Sequence, residues 1–152
     1  MLRARLNDSL KAAMLAKDAR TVSTVRLILA ALKDRDIAGR TKGQTDGISD
    51  DEILQMLQSM MKQRRESIAL YEQGGRLELA QQEAEEIEII ERFLPKQLTD
   101  EELAQSVADT IAELGAGGLK DMGRVMATLR ERFAGRMDFA KASAVAKRQL
   151  GG

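Results

Sequence analysis

Lys120 and Arg124 stand four residues apart, and Lys141 and Arg148 seven apart, so in helical geometry each pair shares one side of its helix. Side chains in this arrangement suit one task well. They neutralise phosphates and can hold a nucleic acid without reading its bases. They fall in residues 115–152, where eight basic residues face only Asp121, Glu131 and Asp138, a local charge of +5. Isolated basic residues on a helix also serve simply to solubilise a surface, and the spacing alone leaves both readings open.

The second concentration of chemistry is acidic: Glu83, Glu85, Glu86, Glu88 and Glu91. Glu85 and Glu88, at i and i+3, share a face that could hold a hard cation. A carboxylate-bridged redox metal usually draws on Glu-x-x-His pairs, and the chain contains no His. The cluster is therefore expected to be a solvated helix face opposite Ile87 and Ile90, with no metal site. Cys is absent too, which removes thiol nucleophiles and zinc–sulfur sites along with the commonest general base. No catalytic residue and no cofactor is expected.

Gly115-Ala-Gly-Gly118 precedes a predicted helix, where backbone N–H groups can cradle a phosphate. No strand leads into it and no Gly-Lys-Ser/Thr follows, so a helix–helix turn is the expected role. Gly123, inside the next helix, is expected to let another backbone pack closely. Met56, Met60, Met61, Met122 and Met126 fall in register with apolar stripes and are expected to fill core, although thioethers also suit adaptable docking surfaces.

The elements that must position these residues read as helices throughout. Aromatic residues make up 3% of the 152-residue chain against 43% hydrophobic overall, a mixture that favours aliphatic helix packing over sheet. Leu2, Leu6, Leu10 and Met14 line one face of a first helix, which breaks near Lys17. Asp18 caps a second, through Val22, Val25, Ile28, Leu29 and Leu32, which is expected to fray before Gly39 and give way to a polar loop. Ser49-Asp-Asp-Glu52 is a capping box opening a third helix that ends at Gly74-Gly75. A fourth points Leu77, Ala80, Ala84, Ile87, Ile90 and Leu94 inward until Pro95 stops it. Thr99-Asp-Glu-Glu102 opens a fifth helix. The sixth gathers Met122, Val125, Met126, Leu129 and Phe133, and the seventh, entered at Asp138, buries Phe139, Ala142, Val145 and Leu150.

The expected architecture is all-α: an N-terminal helical hairpin or bundle half, residues 1–94, joined to a small three-helix C-terminal bundle, residues 95–152. No window approaches the length of a membrane span, the N-terminus lacks a signal-peptide pattern, and the absence of Cys fits a reducing compartment, so a cytoplasmic protein without membrane attachment is expected. Net charge is zero, but residues 1–42 carry ten basic and four acidic residues (+6), and 43–94 carry five and twelve (−7). Basic ends either complement the acidic middle within the fold or present a surface to polyanions.

Glu86-Ile-Glu-Ile-Ile-Glu-Arg-Phe-Leu-Pro-Lys-Gln-Leu98, followed by Thr99-Asp-Glu-Glu-Leu103, resembles the signature junction of the GatB/YqeY family, in its YqeY-like stand-alone form. Thr24-Val-Arg-Leu-Ile-Leu-Ala-Ala-Leu-Lys33, Gln63-Arg-Arg-Glu-Ser-Ile68 with Tyr71, and Lys120-Asp-Met-Gly-Arg-Val-Met126 are similar to family segments in the same order, so the resemblance covers essentially the whole chain. It implies a C-terminal part like the tail of the GatB subunit of tRNA-dependent amidotransferase, which touches tRNA.

By motif, the resemblance implicates Lys120 and Arg124, and Arg136 in Gly135-Arg-Met-Asp138. After Asp138 the chain departs from the family pattern with Phe139-Ala-Lys-Ala-Ser143. Together with charge, it gives the candidate RNA-binding set Lys120, Arg124, Arg132, Arg136, Lys141, Lys147 and Arg148. Arg64 and Arg65 either bind RNA or pair with Glu66 and the acidic fourth helix, and the internal pairing is the expectation.

The implied function is that of a non-catalytic tRNA-binding accessory module, working beside tRNA-aminoacylation or amidotransferase proteins. A protein-interaction adapter without RNA affinity is the alternative. A glutamine-using carbon–nitrogen ligase component stands third, on family association alone.

Overall fold

The computed structural model describes residues 1–151 as an all-α protein, without strands among them. Contacts divide it into two compact units, Met1–Pro95 and the chain from Lys96 onward.

The first unit holds α1 (Leu2–Ala16), α2 (Ala19–Arg40), α3 (Asp50–Gln73) and α4 (Leu77–Glu91). α1 stops where Lys17 takes a left-handed conformation, and the Asp18 carboxylate then accepts the Thr21 N–H to start α2. At the head of α3, Ser49 and Glu52 satisfy each other's backbone donors as the capping-box pattern predicts. The core runs through Leu6, Val25, Ile28, Ile53, Met56, Leu57, Met61 and Ile90, with methionines as filling.

Several local expectations are corrected. α2 does not fray before Gly39 but continues to Arg40, because residues 44–48 fold back over it. A Cβ on Gly39 would fall 2.8 Å from Gln44 Oε1, so the missing side chain is what lets the loop approach. Met14 and Leu77 lie outside the core at 52% and 65% exposure, Met14 in the last turn of α1 and Leu77 at the first position of α4.

Only part of the acidic run of α4 is a solvated face: Glu88 and Glu91 are exposed and Glu85 nearly half exposed, but Glu83 and Glu86 turn toward Arg64. Arg64, 14% exposed, meets Glu86 at 3.0 Å and Glu83 at 3.8 Å, and Glu86 itself is buried. Arg20 pairs with Glu85 at 3.2 Å, while Arg65 and Glu91, both about half exposed, approach only to 3.9 Å. The internal pairing expected for Arg64 and Arg65 is therefore present.

The Arg3 guanidinium grips the Asp36 carboxylate by two hydrogen bonds of 2.6 and 2.7 Å and also donates to the Ile48 carbonyl, while Ile48 N–H donates to Asp36. Four bonds thus tie α1, α2 and the loop before α3 together. The hydrogen bonds from Arg3 hold the Asp36 pKa below the ordinary carboxylate value, against a smaller opposing effect of burial. A carboxylate with a depressed folded pKa contributes stability above its unfolded pKa and loses it as pH falls through the folded value. Thermal midpoints of wild type and Asp36→Asn should therefore differ most above pH roughly 4, the ordinary carboxylate range, and converge under stronger acid. A gap that stayed constant into strong acid would show that Asp36 does not act through its charge.

The second unit comprises α5 (Asp100–Leu114), a 3-10 turn at Leu119–Asp121, α6 (Met122–Arg132) and α7 (Phe139–Gly151). Thr99 and Glu102 form its capping box. Leu103, Val107, Val125, Met126, Leu129, Met137, Ala142 and Ala146 make the core, with Phe133, Phe139, Val145 and Leu150 partly buried around it.

Candidate nucleic-acid interface

Gly115, in left-handed geometry, ends α5 and turns the chain toward α6. The segment between is organised by Asp121, whose Oδ2 accepts the Gly117 N–H at 2.9 Å. That backbone hydrogen bond is the main cause of a lowered Asp121 pKa, reinforced by the charges of Arg124 and Lys120. The glycine turn therefore already has an anion of its own, and any phosphate bound nearby must be held by side chains.

Lys120 lies in the 3-10 turn and not in α6, so the i, i+4 register expected between it and Arg124 is not that of one continuous α-helix. Lys120 is exposed and makes no hydrogen bond or ion pair among the described residues. Arg124, 52% exposed, touches Asp121 at 3.4 Å. Gly151, near the end of α7, packs on the Leu119 side chain, and Lys147 stands one helical turn before Gly151 on the same side. The end of α7 thus packs on the turn that carries Lys120, with Lys147 one helical turn from that contact. Arg148, also exposed and without an ion pair among the described residues, follows on the neighbouring flank of α7.

The other candidates are placed elsewhere and are engaged. Arg132 bridges to Glu113 at 2.5 Å, and Lys141 reaches Asp100 at 3.4 Å. Arg136 donates through Nε to the Lys96 carbonyl, beside the Leu98 N–H to Arg136 carbonyl bond, so it clasps the segment leading into α5. The pairs of Arg132 and Lys141 are solvent-exposed and weak enough for a phosphate to compete with them.

Gly123 overturns its expectation. A Cβ there would meet nothing within 4 Å, so no backbone packs against it. Gly117 and Gly118 are equally open, and none of the three has a positive φ. An exposed glycine within a helix costs about 0.5–1 kcal/mol relative to alanine, and the fold gains nothing in return. The bare surface lies in the first turn of α6, next to Arg124 in sequence and three residues after Lys120. Sequence reasoning weighed this glycine as packing because helical position alone gives no measure of the space around it.

The family model described as Yqey-like protein matches residues 3–150. The chain belongs to that family. Among its curated relatives are fungal proteins named "Altered inheritance of mitochondria protein 41, mitochondrial". The one from Clavispora lusitaniae is 31% identical over 113 residues, covering 73% of this chain and 63% of the relative. The one from Eremothecium gossypii is 37% identical over 91 residues, 60% and 48% of the two chains, and the one from Meyerozyma guilliermondii is 38% identical over 91 residues, 59% and 44%. This YqeY-like chain spans 44% to 63% of the length of these relatives. No helix among its described residues is long and apolar enough to cross a membrane.

Proposed function

We propose that this YqeY-like chain is a non-catalytic accessory module that binds folded RNA, tRNA first among candidates, through phosphate contacts at the Lys120, Arg124 and Lys147 end of its second unit. The observation that carries the reading is the open glycine at position 123, at the start of α6 beside Arg124 and three residues after Lys120 in sequence. It offers a ligand backbone a close approach that nothing inside the fold uses. Arg148, Arg132 and Lys141 add longer-range attraction, and Arg136 serves mainly to hold the unit's entry segment. With aromatic residues at 3% of the chain, recognition rests on phosphate and shape rather than base stacking.

An adapter role is the second reading, favoured by the groove described below. An amide-transfer role would rest on family association alone. The chain is proposed to work in the cytoplasm beside tRNA-aminoacylation or amidotransferase proteins.

Gly123 separates binding from folding. Gly123→Ala should stabilise the second unit by about 0.5–1 kcal/mol. Gly123→Leu should leave the fold intact yet weaken tRNA binding by roughly tenfold, about 1.4 kcal/mol. Circular dichroism melting and fluorescence anisotropy with labelled bulk tRNA, with duplex DNA of equal length alongside, measure the two effects. Undiminished tRNA affinity in Gly123→Leu, or equal affinity for DNA, would remove the proposed site.

A further inference from the structure

The first unit carries a second cationic surface of different character. Arg26, Lys33 and Arg40 recur every seven residues along α2, a span of about 21 Å on one side of the helix. All three are exposed, and none forms an ion pair among the described residues. Leu29 and Ile37 lie between them on the same side, Leu29 partly buried and Ile37 49% exposed. This side of α2 borders a groove of about 300 Å³ shared with Arg3 and Asn7 of α1, and Leu29, Lys33, Ile37 and Arg40 all line it. The one carboxylate lining the groove, Asp36, hydrogen-bonds Arg3 and Ile48 N–H and feels the charge of Arg40 only at longer range, without an ion pair.

Cations at seven-residue intervals with aliphatic side chains between them form a heptad seam, the complement of a partner helix with carboxylates at the same interval and aliphatic residues between. We propose that the α1–α2 groove docks an acidic amphipathic helix of a partner protein. Its carboxylates meet Lys33 and Arg40 in the groove and Arg26 beyond it on the same side of α2, and its aliphatic residues cover Leu29 and Ile37. The aliphatic floor decides against RNA here: a phosphate backbone would satisfy the cations but leave the exposed side of Ile37 uncovered, and no aromatic residue lines the groove for base stacking. Because the groove lies wholly in the first unit, the inference does not depend on the RNA site of the second.

The probe is a synthetic helix of about 21 residues with Glu every seventh position and Leu in the intervals, labelled and titrated with the full chain. Its controls are a scrambled peptide of the same composition and a peptide with Lys in place of Glu. The patterned acidic peptide should bind, the scrambled one should not, and Lys33→Glu/Arg40→Glu should weaken binding by roughly tenfold or more at low salt. The Lys-bearing peptide should bind that variant instead, and Ile37→Asn should weaken binding of either peptide while leaving the thermal midpoint in place. Equal binding of patterned and scrambled peptides would overturn the proposal. So would a Lys33→Glu/Arg40→Glu variant that keeps its peptide affinity, or one that loses its tRNA affinity, which would assign the stripe to nucleic acid.

Discussion

Replacing Arg64 with alanine is expected to destabilise the first unit by about 3–5 kcal/mol, because it leaves two carboxylates facing each other with no cation between them. Arg64 is 14% exposed, Glu86 9% and Glu83 22%, and the guanidinium also donates to the Met60 carbonyl. Burial, followed by the proximity of Glu86, raises the Glu83 pKa even with Arg64 present. A raised carboxyl pKa means that the folded state favours the protonated form, so Glu83's contribution is greatest below its unfolded pKa and is lost as pH rises through the folded value. Arg64→Ala should therefore recover part of its loss on mild acidification, whereas Arg64→Ala/Glu86→Leu should be more stable than Arg64→Ala at neutral pH.

Tyr71, the chain's only tyrosine in a protein without tryptophan, lies on α3, so its fluorescence in a urea titration reports the first unit. A midpoint for Arg64→Ala close to wild type would show that solvent, and not Arg64, satisfies these carboxylates.

Gly47→Ala is expected to cost about 2–3 kcal/mol, from two causes that can be separated. Gly47 holds φ +93°, a conformation costly to any residue with a Cβ, and that Cβ would lie 2.5 Å from Arg3 Nη2. The guanidinium end can swing away easily in steric terms. Moving it, however, breaks its hydrogen bonds to Asp36 and to the Ile48 carbonyl. A double-mutant cycle with Arg3→Ala resolves the causes: the backbone cost persists in the absence of Arg3, and the cost of displacing Arg3 disappears. Strict additivity of the two substitutions would contradict the assignment of Gly47 as the seat of the Arg3 clasp.

The features legible in the sequence were those whose causes lie within a few residues. Ser49 with Glu52 and Thr99 with Glu102 form closed local motifs, and Asp18 caps α2 through a residue three positions away. Features that depend on distant partners were read less well. Gly39 continues its helix because Gln44 and Ile48 return to it, and Glu86 is buried because Arg64, 22 residues earlier, reaches it. Met14 and Leu77 obey the periodicity of buried residues, but periodicity does not reveal which of those positions a neighbouring helix covers.

The candidate site shows the same division. Charge picked out Lys120, Arg124 and Lys147, yet their grouping depends on Leu119 packing against Gly151, and the engagement of Arg136 depends on the Lys96 carbonyl. Arg130, 5.9 Å from the centroid of Phe139, was outside the set because cation–π stacking across a loop leaves no spacing signature.

The most direct test of the RNA-binding account is the salt dependence of tRNA affinity for wild type and for Lys120→Glu/Arg124→Glu/Lys147→Glu, which spares the structural Arg136. Wild type should lose affinity with rising salt at a log–log slope implying roughly 3–6 phosphate contacts, and the variant should bind more weakly with a slope shallower by about 2–3. Equal slopes and affinities for the two proteins would show that RNA, if it binds at all, does not bind at this end of the second unit.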